Sequence, residues 1–388
     1  MRKFLIIALA FASLASYAKS PKNKKEDKKP EAAYVFTDIK TSPESSVKNQ
    51  ANSGTCWAFS GLSFIESDLM RQGKGEYDLS EMWISRHTYL GKARKFLRMH
   101  GHSNLGQGGA THDVFNVIDE YGIVPESVYT GLNYGTTQHI HGELDAAIIA
   151  YMEAIVTNPN RTISTAWEAG LNGILDAYFG AVPETFEYEG KEYTPKSFAA
   201  ELGIKGSDYQ SYSSFTHHPF GEEFAVEVPD NWAWGLSMNV PIDEMIVIID
   251  RAIDKGETVF WASDVSEPGF QYNKGFCVLA EMDVKNIGDS EKAKWSELTE
   301  AEMRREMMKF ETAVQEEEVT QESRQKEFDN FQTTDDHGMV ITGVAEDQRG
   351  NKFYRVKNSW GTDQIYNGYF YVSEAFVKAK TTNFVVRK

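Results

Sequence analysis

Two cysteines in 388 residues, Cys56 and Cys277, leave little scope for a disulfide framework. A bridge between them would consume the one cysteine in a reactive setting, so no structural disulfide is expected. Long apolar runs are also scarce, and beyond the first residues no stretch approaches transmembrane length. Positive charge is in deficit, with 40 Lys and Arg against 57 Asp and Glu and a net charge of −17. That balance disfavours nucleic acid and anionic membrane as partners of the main body. What is plentiful is core material, 41% hydrophobic and 13% aromatic residues, in a chain too long for one simple core. A large domain with insertions, or two domains, is expected.

The N-terminus has its own logic. Arg2 and Lys3 precede an apolar run over residues 4–12, and Ser16 and Ala18 put small residues where a signal peptidase reads. Residues 1–18 are read as a cleaved secretory signal, so the mature protein is expected to be exported, periplasmic or secreted, with no stable membrane insertion. No cysteine lies at the cleavage region, which disfavours a lipoprotein. Residues 19–35, beginning KSPKNKKEDKKP, read as a solvated Lys-rich leader. From Ala18 to Cys56 the chain is short for a folded inhibitory pro-domain.

The stretch QANSGTCWAFSGLSFIESDLM, residues 50–70, organises the rest. Ala58, Leu62, Ile65 and Leu69 fall at helical spacing, and Trp57, Gly61 and Phe64 widen the stripe, predicting a largely buried helix. Ser53 or Thr55 is placed to cap it. Cys56 then sits at a helix N-terminus, where unpaired N–H groups and the positive dipole end stabilise a thiolate. Most cysteines on apolar helices are plain core residues. Here the first-turn position, and Gln50 across a Gly-containing turn as an amide donor, argue for a nucleophile.

Downstream, Ser80 and Glu81 begin another helix, and a Gly-rich loop over residues 101–109 feeds a helix that Gly122 ends. The Gly108-Gly109 pair permits close backbone approach to an extended ligand. Apolar periodicity over residues 143–178 and 241–255 predicts helices, the latter with Pro241 near its first turn. Residues 207–215 read as a surface loop, TVFWAS (258–263) as a buried strand, and 286–330 as a charged helical stretch with a solvated face. His100, His102, His139, His141, His217 and His218 are taken as surface histidines rather than metal ligands, and no metal or cofactor is expected.

Toward the C-terminus, His337 starts an apolar run, residues 346–351 (EDQRGN) are strong turn chemistry, and KFYRVKNSW returns as a strand. Antiparallel pairing brings His337 beside Asn358. An amide oxygen there would fix the imidazole tautomer and leave the other nitrogen facing a thiol, with Trp360 shielding the bond.

Gln50, Cys56-Trp57-Ala58-Phe59, Gly108-Gly109, His337-Gly338 and Asn358-Ser359-Trp360-Gly361, in that order, resemble the papain-like cysteine peptidase superfamily. Asn52 to Trp57, residues 107–122 and residues 257–265 resemble its bleomycin hydrolase / aminopeptidase C branch. The resemblance implies an α+β, two-lobed fold over residues 36–388. A helical lobe carries Cys56, a β-barrel-like lobe carries His337 and Asn358, and large helical insertions fall at about 140–240 and 286–330. It further implies Cys56 as nucleophile, His337 as general base and acid, Asn358 as its orienter and Gln50 as oxyanion donor. Gly108, Gly109, Trp57 and Trp360 are implied at the substrate, which is a peptide or protein. Members of the branch form hexamers, so a homo-oligomer is implied as well. In that branch a C-terminal arm closes the unprimed side of the cleft. Here Lys388 follows soon after Asn358, so the arm is expected to be absent or very short. An exported aminopeptidase or oligopeptidase is the leading expectation. An open-cleft endopeptidase, an acyl transferase and a non-catalytic peptide-binding protein are the alternatives.

Overall fold

In a computed structural model of the chain, residues 32–283, 285–288 and 298–388 are described. Residues 1–31, on which the expected signal and most of the expected Lys-rich leader fall, lie outside them. The last leader positions do not behave as a linker. Tyr34 is buried against Phe276 and Phe353, and its hydroxyl accepts the Val314 N–H at 3.1 Å. The compact body starts at Ala33.

Helices α1 (Cys56–Arg71), α2 (Glu81–Arg98), α3 (Thr111–Tyr121), α4 (Gly142–Val156), α5 (Ala166–Phe179) and α6 (Pro195–Leu202) share one hydrophobic cluster. Later come α7 (Ile242–Asp254), α8 (Glu300–Met307), α9 (Gln321–Asp329) and α10 (Glu374–Lys380). The strands are β1 (Phe36–Thr41), β2 (Phe186–Tyr188), β3 (Lys191–Tyr193), β4 (Tyr209–Ser213), β5 (Glu223–Ala225), β6 (Leu236–Asn239), β7 (Val259–Ser263), β8 (Phe270–Gln271), β9 (Phe276–Cys277), β10 (His337–Asp347), β11 (Lys352–Lys357), β12 (Tyr369–Ser373) and β13 (Thr381–Arg387). All but β2 and β3 join an 11-stranded sheet in the order β5-β6-β4-β13-β7-β10-β11-β12-β9-β8, with β1 also paired to β10.

The sheet's centre is covered on both faces, which explains why its strands read as unbroken apolar runs. Side chains alternate along a strand, so Phe260, Val340 and Val385 face the α1–α6 side. Val259, Trp261, Met339, Ile341, Phe384 and Val386 face α7 and α10. Each such fully buried side chain contributes about 1.5–3 kcal/mol over leaving it exposed. Gly61 lets α1 lie close, since a Cβ there would sit 3.0 Å from Phe260.

Two stretches depart from the sequence reading. Within residues 207–215, expected as a surface loop, Tyr209–Ser213 form strand β4. Its serines are buried yet satisfied, Ser211 by Ser237 and Asn383 and Ser213 by the Thr382 carbonyl. Among its described residues the charged stretch holds two short helices, α8 and α9, separated by irregular chain. Nor is α9 purely solvated. Arg324 is buried and donates to the carbonyls of Ser214, Lys378, Ala379 and Thr381.

Candidate active site

The turn before α1 leaves the helix start open. Ser53 Oγ donates to the Gln50 carbonyl at 2.8 Å and pairs with Thr55 Oγ1 at 2.6 Å, so neither hydroxyl caps α1 as anticipated. The Cys56 N–H has no partner among the described residues. The first turn of α1 packs directly on β10 at Gly338, where a Cβ would lie 2.7 Å from Ser60 Oγ and 3.1 Å from Trp57 Cα. That approach brings the Gly338 N–H to 3.5 Å from Cys56 Sγ. Both cysteines are free, Cys277 in the core and Cys56 partly accessible.

Strand β10 begins at His337, and its antiparallel partner β11 ends one residue before Asn358. The two side chains meet, His337 Nε2 to Asn358 Oδ1 at 2.8 Å. An amide oxygen only accepts, so Nε2 carries the proton and Nδ1 keeps a lone pair. The Asn358 oxygen is held in turn by the Ser359 N–H at 2.8 Å. Trp360 lies over the pair, its ring 4.8 Å from the imidazole. Residues 48–50 run alongside 359–361 through Gln50 N–H to Ser359 O (2.8 Å) and Gly361 N–H to Lys48 O (3.1 Å). Gln50 is thereby fixed at both ends of its amide, Oε1 accepting from Ser359 Oγ and Nε2 donating to Ser53 O, each at 2.7 Å.

Beneath α1 a buried ionic network clamps these pieces. Glu66 accepts from Lys48 Nζ (3.2 Å), Leu79 N–H (2.9 Å) and Ser45 Oγ (2.6 Å). Lys48 continues to Glu81 at 2.6 Å. From the end of β11, Lys357 donates to Ser45 O at 2.6 Å and Ser63 Oγ at 2.8 Å. The Cys56 helix and the strand leading to Asn358 are thus tied by hydrogen bonds from a buried lysine as well as by packing.

Burial acts against charge on each member of the central pair. It pushes the Cys56 thiol up to about 12, with the Gly338 N–H acting the other way, and His337 down to about 4 against the Asn358 bond. Among the described residues the thiol's hydrogen bond comes from Gly338 and not from the imidazole. Desolvation, the larger effect here, opposes the helix-dipole stabilisation of thiolate that the sequence suggests.

Cys56, Trp57, Gly109, His337 and Gly338 line one pocket. Gly109 packs on the Trp57 ring, where a Cβ would sit 2.6 Å from Cε2, and Trp57 Nε1 donates to Gln107 O at 3.1 Å. Gly108 lies just outside the pocket lining, its carbonyl taken by Lys92. Trp360 and Gln50 are not in the lining: Trp360 covers His337, and Gln50 is held between Ser53 and Ser359. The opposite wall comes from residues that sequence reasoning did not single out: Val226, Val228, Asp230 and Asn231 from the loop joining β5 to β6, and Asp335 ahead of β10. Only Asp335 carried a visible signal, a carboxylate pair set immediately before His337.

The histidines divide. His139 and His141 are buried, not surface residues, and burial holds both down at about 4. His217 and His218 each place Nε2 2.9 Å from Glu227, a three-donor cluster. Gln325 Nε2 donates to His217 Nδ1 at 3.0 Å, which keeps the proton on Nε2. That tautomer suits the carboxylate hydrogen bond and not metal ligation.

A model of the Peptidase C1-like family matches residues 5–328 and 290–388. Aminopeptidase C of Streptococcus thermophilus is 26% identical over 399 residues, spanning 92% of this chain and 82% of the relative. Aminopeptidase C of Lactococcus lactis subsp. cremoris is 25% identical over 383 residues, spanning 88% and 80%. The crystal structure of PepW from Lactobacillus rhamnosis HN001 (DR20) shares the fold, with a TM-score of 0.68 at 22% identity over 91% of this chain and 82% of that one. The chain therefore belongs to the Peptidase C1-like family, as a cysteine-type peptidase of the papain-like aminopeptidase C branch.

Proposed function

We propose that this protein removes residues from the free N-terminus of peptides, with Cys56 as nucleophile and His337 as its base. The observation that carries the reading is the His337 Nε2–Asn358 Oδ1 bond of 2.8 Å, which leaves Nδ1 unprotonated in a pocket shared with Cys56. As Sγ bonds to the scissile carbonyl carbon, its proton passes to Nδ1, so thiol and imidazole ionise together and neither charge is left alone in a dry site. The carbonyl oxygen becomes an oxyanion, received by the free Cys56 N–H and by the second hydrogen of Gln50 Nε2. His337 returns the proton to the leaving amine as the C–N bond breaks. Water then attacks the thioester with His337 again as base, releasing the acid and the thiol.

The test is mass spectrometry of an unblocked peptide incubated with wild type and variants. Cys56→Ala is expected to lower turnover by at least about 10⁴-fold, and Gln50→Ala by about 10²-fold. Undiminished cleavage by Cys56→Ala sinks the proposal. We also propose that the protein is exported by cleavage after Ala18. Sequencing the mature N-terminus should give Lys19, and retention of Met1 on exported protein would refute it.

A further inference from the structure

One wall of the Cys56 pocket is built by a loop that nothing in the chemistry above uses. Residues 226–235 join β5 to β6 and are held tightly. Asn231 Nδ2 donates to the carbonyls of Val226 and Gly235 at 3.0 Å, while its oxygen accepts the Gly235 N–H at 2.8 Å. Trp232 Nε1 donates to Asp113 at 2.8 Å, and Lys95 Nζ lies 3.2 Å from the Trp234 ring centre. The loop delivers Asp230 onto the Gly-rich loop 101–109, so close that a methyl group on Gly108 would run into the carboxylate. Asn104 Nδ2 fixes Asp230 Oδ1 at 2.6 Å. Gly108 is the edge along which the family resemblance runs an extended peptide, on the unprimed side. That edge is covered, and only Gly109 beyond it keeps its main-chain groups free of partners among the described residues.

The blocked end is also electrostatically one-sided. Asp230, Asp335 and Asp336 line the pocket, and no lysine or arginine does. Asp336 is engaged by the Ser266 N–H and Thr334. Asp335 is half-buried and, among the described residues, no hydrogen bond or ion pair is formed by its side chain. Burial, then Asp230 and Asp336, push its carboxyl up to about 8. Lys92, the nearby cation, is committed to the carbonyls of Gly106 and Gly108. A half-buried carboxylate whose nearest cation is committed elsewhere is stabilised by a cation arriving with the ligand.

We propose that the loop 226–235 closes the unprimed end of the cleft and that Asp230 and Asp335 receive the α-ammonium group of the substrate's first residue. This deepens the aminopeptidase reading and rests on it. A lysine side chain carries the same primary ammonium, but a closed end favours the group that terminates a peptide.

The test measures kcat/KM for wild type, Asp230→Asn, Asp335→Asn and the double variant. Three peptides of one sequence are compared: free at the N-terminus, N-acetylated, and N-acetylated with lysine just before the scissile residue. Wild type is expected to favour the free peptide by at least about 100-fold, and the double variant to lose most of that preference. Equal cleavage of free and acetylated peptides by wild type overturns the inference while leaving the peptidase intact. Rescue of the acetylated peptide by lysine, lost in the aspartate variants, assigns the carboxylates to a side chain and also overturns it. Absence of any Cys56-dependent cut overturns the underlying reading as well. A second measurement does not depend on the variants folding. A free dipeptide amide should slow iodoacetamide alkylation of wild-type Cys56 and its acetylated form should not, and equal protection by both counts against the proposal.

Discussion

Two sets of charge lie near Cys56, one beneath α1 and one in the pocket, and they are built to opposite rules. Beneath α1, Glu66, Lys48, Glu81 and Lys357 meet partners at 2.6–3.2 Å in a closed network. In the pocket, among the described residues, Asp335 meets none and Asp230 has a single amide. A buried pair is costly to break because the survivor is left uncompensated, whereas a buried lone charge is costly to keep. The first arrangement holds elements together. The second stores unfavourable electrostatic energy at a place a ligand reaches.

Three substitutions sharpen this contrast. Glu66→Ala should destabilise the protein by about 2–5 kcal/mol, read from urea unfolding, because it strands the Leu79 N–H and the Ser45 hydroxyl and removes one of the carboxylates around Lys48. A loss below about 1 kcal/mol would mean the network is not the clamp described. His141 is an intermediate case, a buried imidazole with both nitrogens unpartnered. Its folded pKa, lowered to about 4, lies below the unfolded value, so its contribution is intact above pH 6.5 and is lost as pH falls from there toward 4. His141→Phe should flatten the acid limb of a curve of unfolding free energy against pH by about 2–3 kcal/mol, and an unchanged limb would count against neutral burial. The smallest effect has the opposite sign from the first. Asp335 is held raised to about 8, so it costs stability increasingly as pH climbs from 4 toward 8. Asp335→Asn should therefore stabilise by about 1 kcal/mol, more at pH 8 than at pH 5. Destabilisation by this variant would place Asp335 with the structural charges.

The contrast also marks what could be read from sequence. Cys56 at a helix start, and His337 and Asn358 on two strands joined by EDQRGN, are local features, because a turn and a hydrophobic period suffice to place them. The order of the family motifs supplied the rest of that set. The wall of the pocket was not legible. Loop 226–235 reaches the cleft only because β4 and β6 pair in parallel on the far side of β13, a long-range arrangement with no sequence period. Strand β4 was itself hidden by serines that look solvated and are instead paired inside the sheet. His139 and His141 were misplaced for a related reason. A histidine counts as polar in a sequence, yet a neutral imidazole packs as an aromatic ring, as His141 does edge-on against Phe179.

The hydrogen bond to Cys56 Sγ comes from the main chain of Gly338, and this shapes how the site responds to mutation. No exchange of side chain can delete a backbone donor; of the standard residues only proline lacks it. Every other replacement acts through volume, by wedging a Cβ between Ser60 and Trp57 and moving the helix that carries the sulfur. Random variation at residue 338 should therefore yield a graded series ordered by side-chain size, with alanine the mildest member, and not the all-or-none pattern expected at residues 56 and 337.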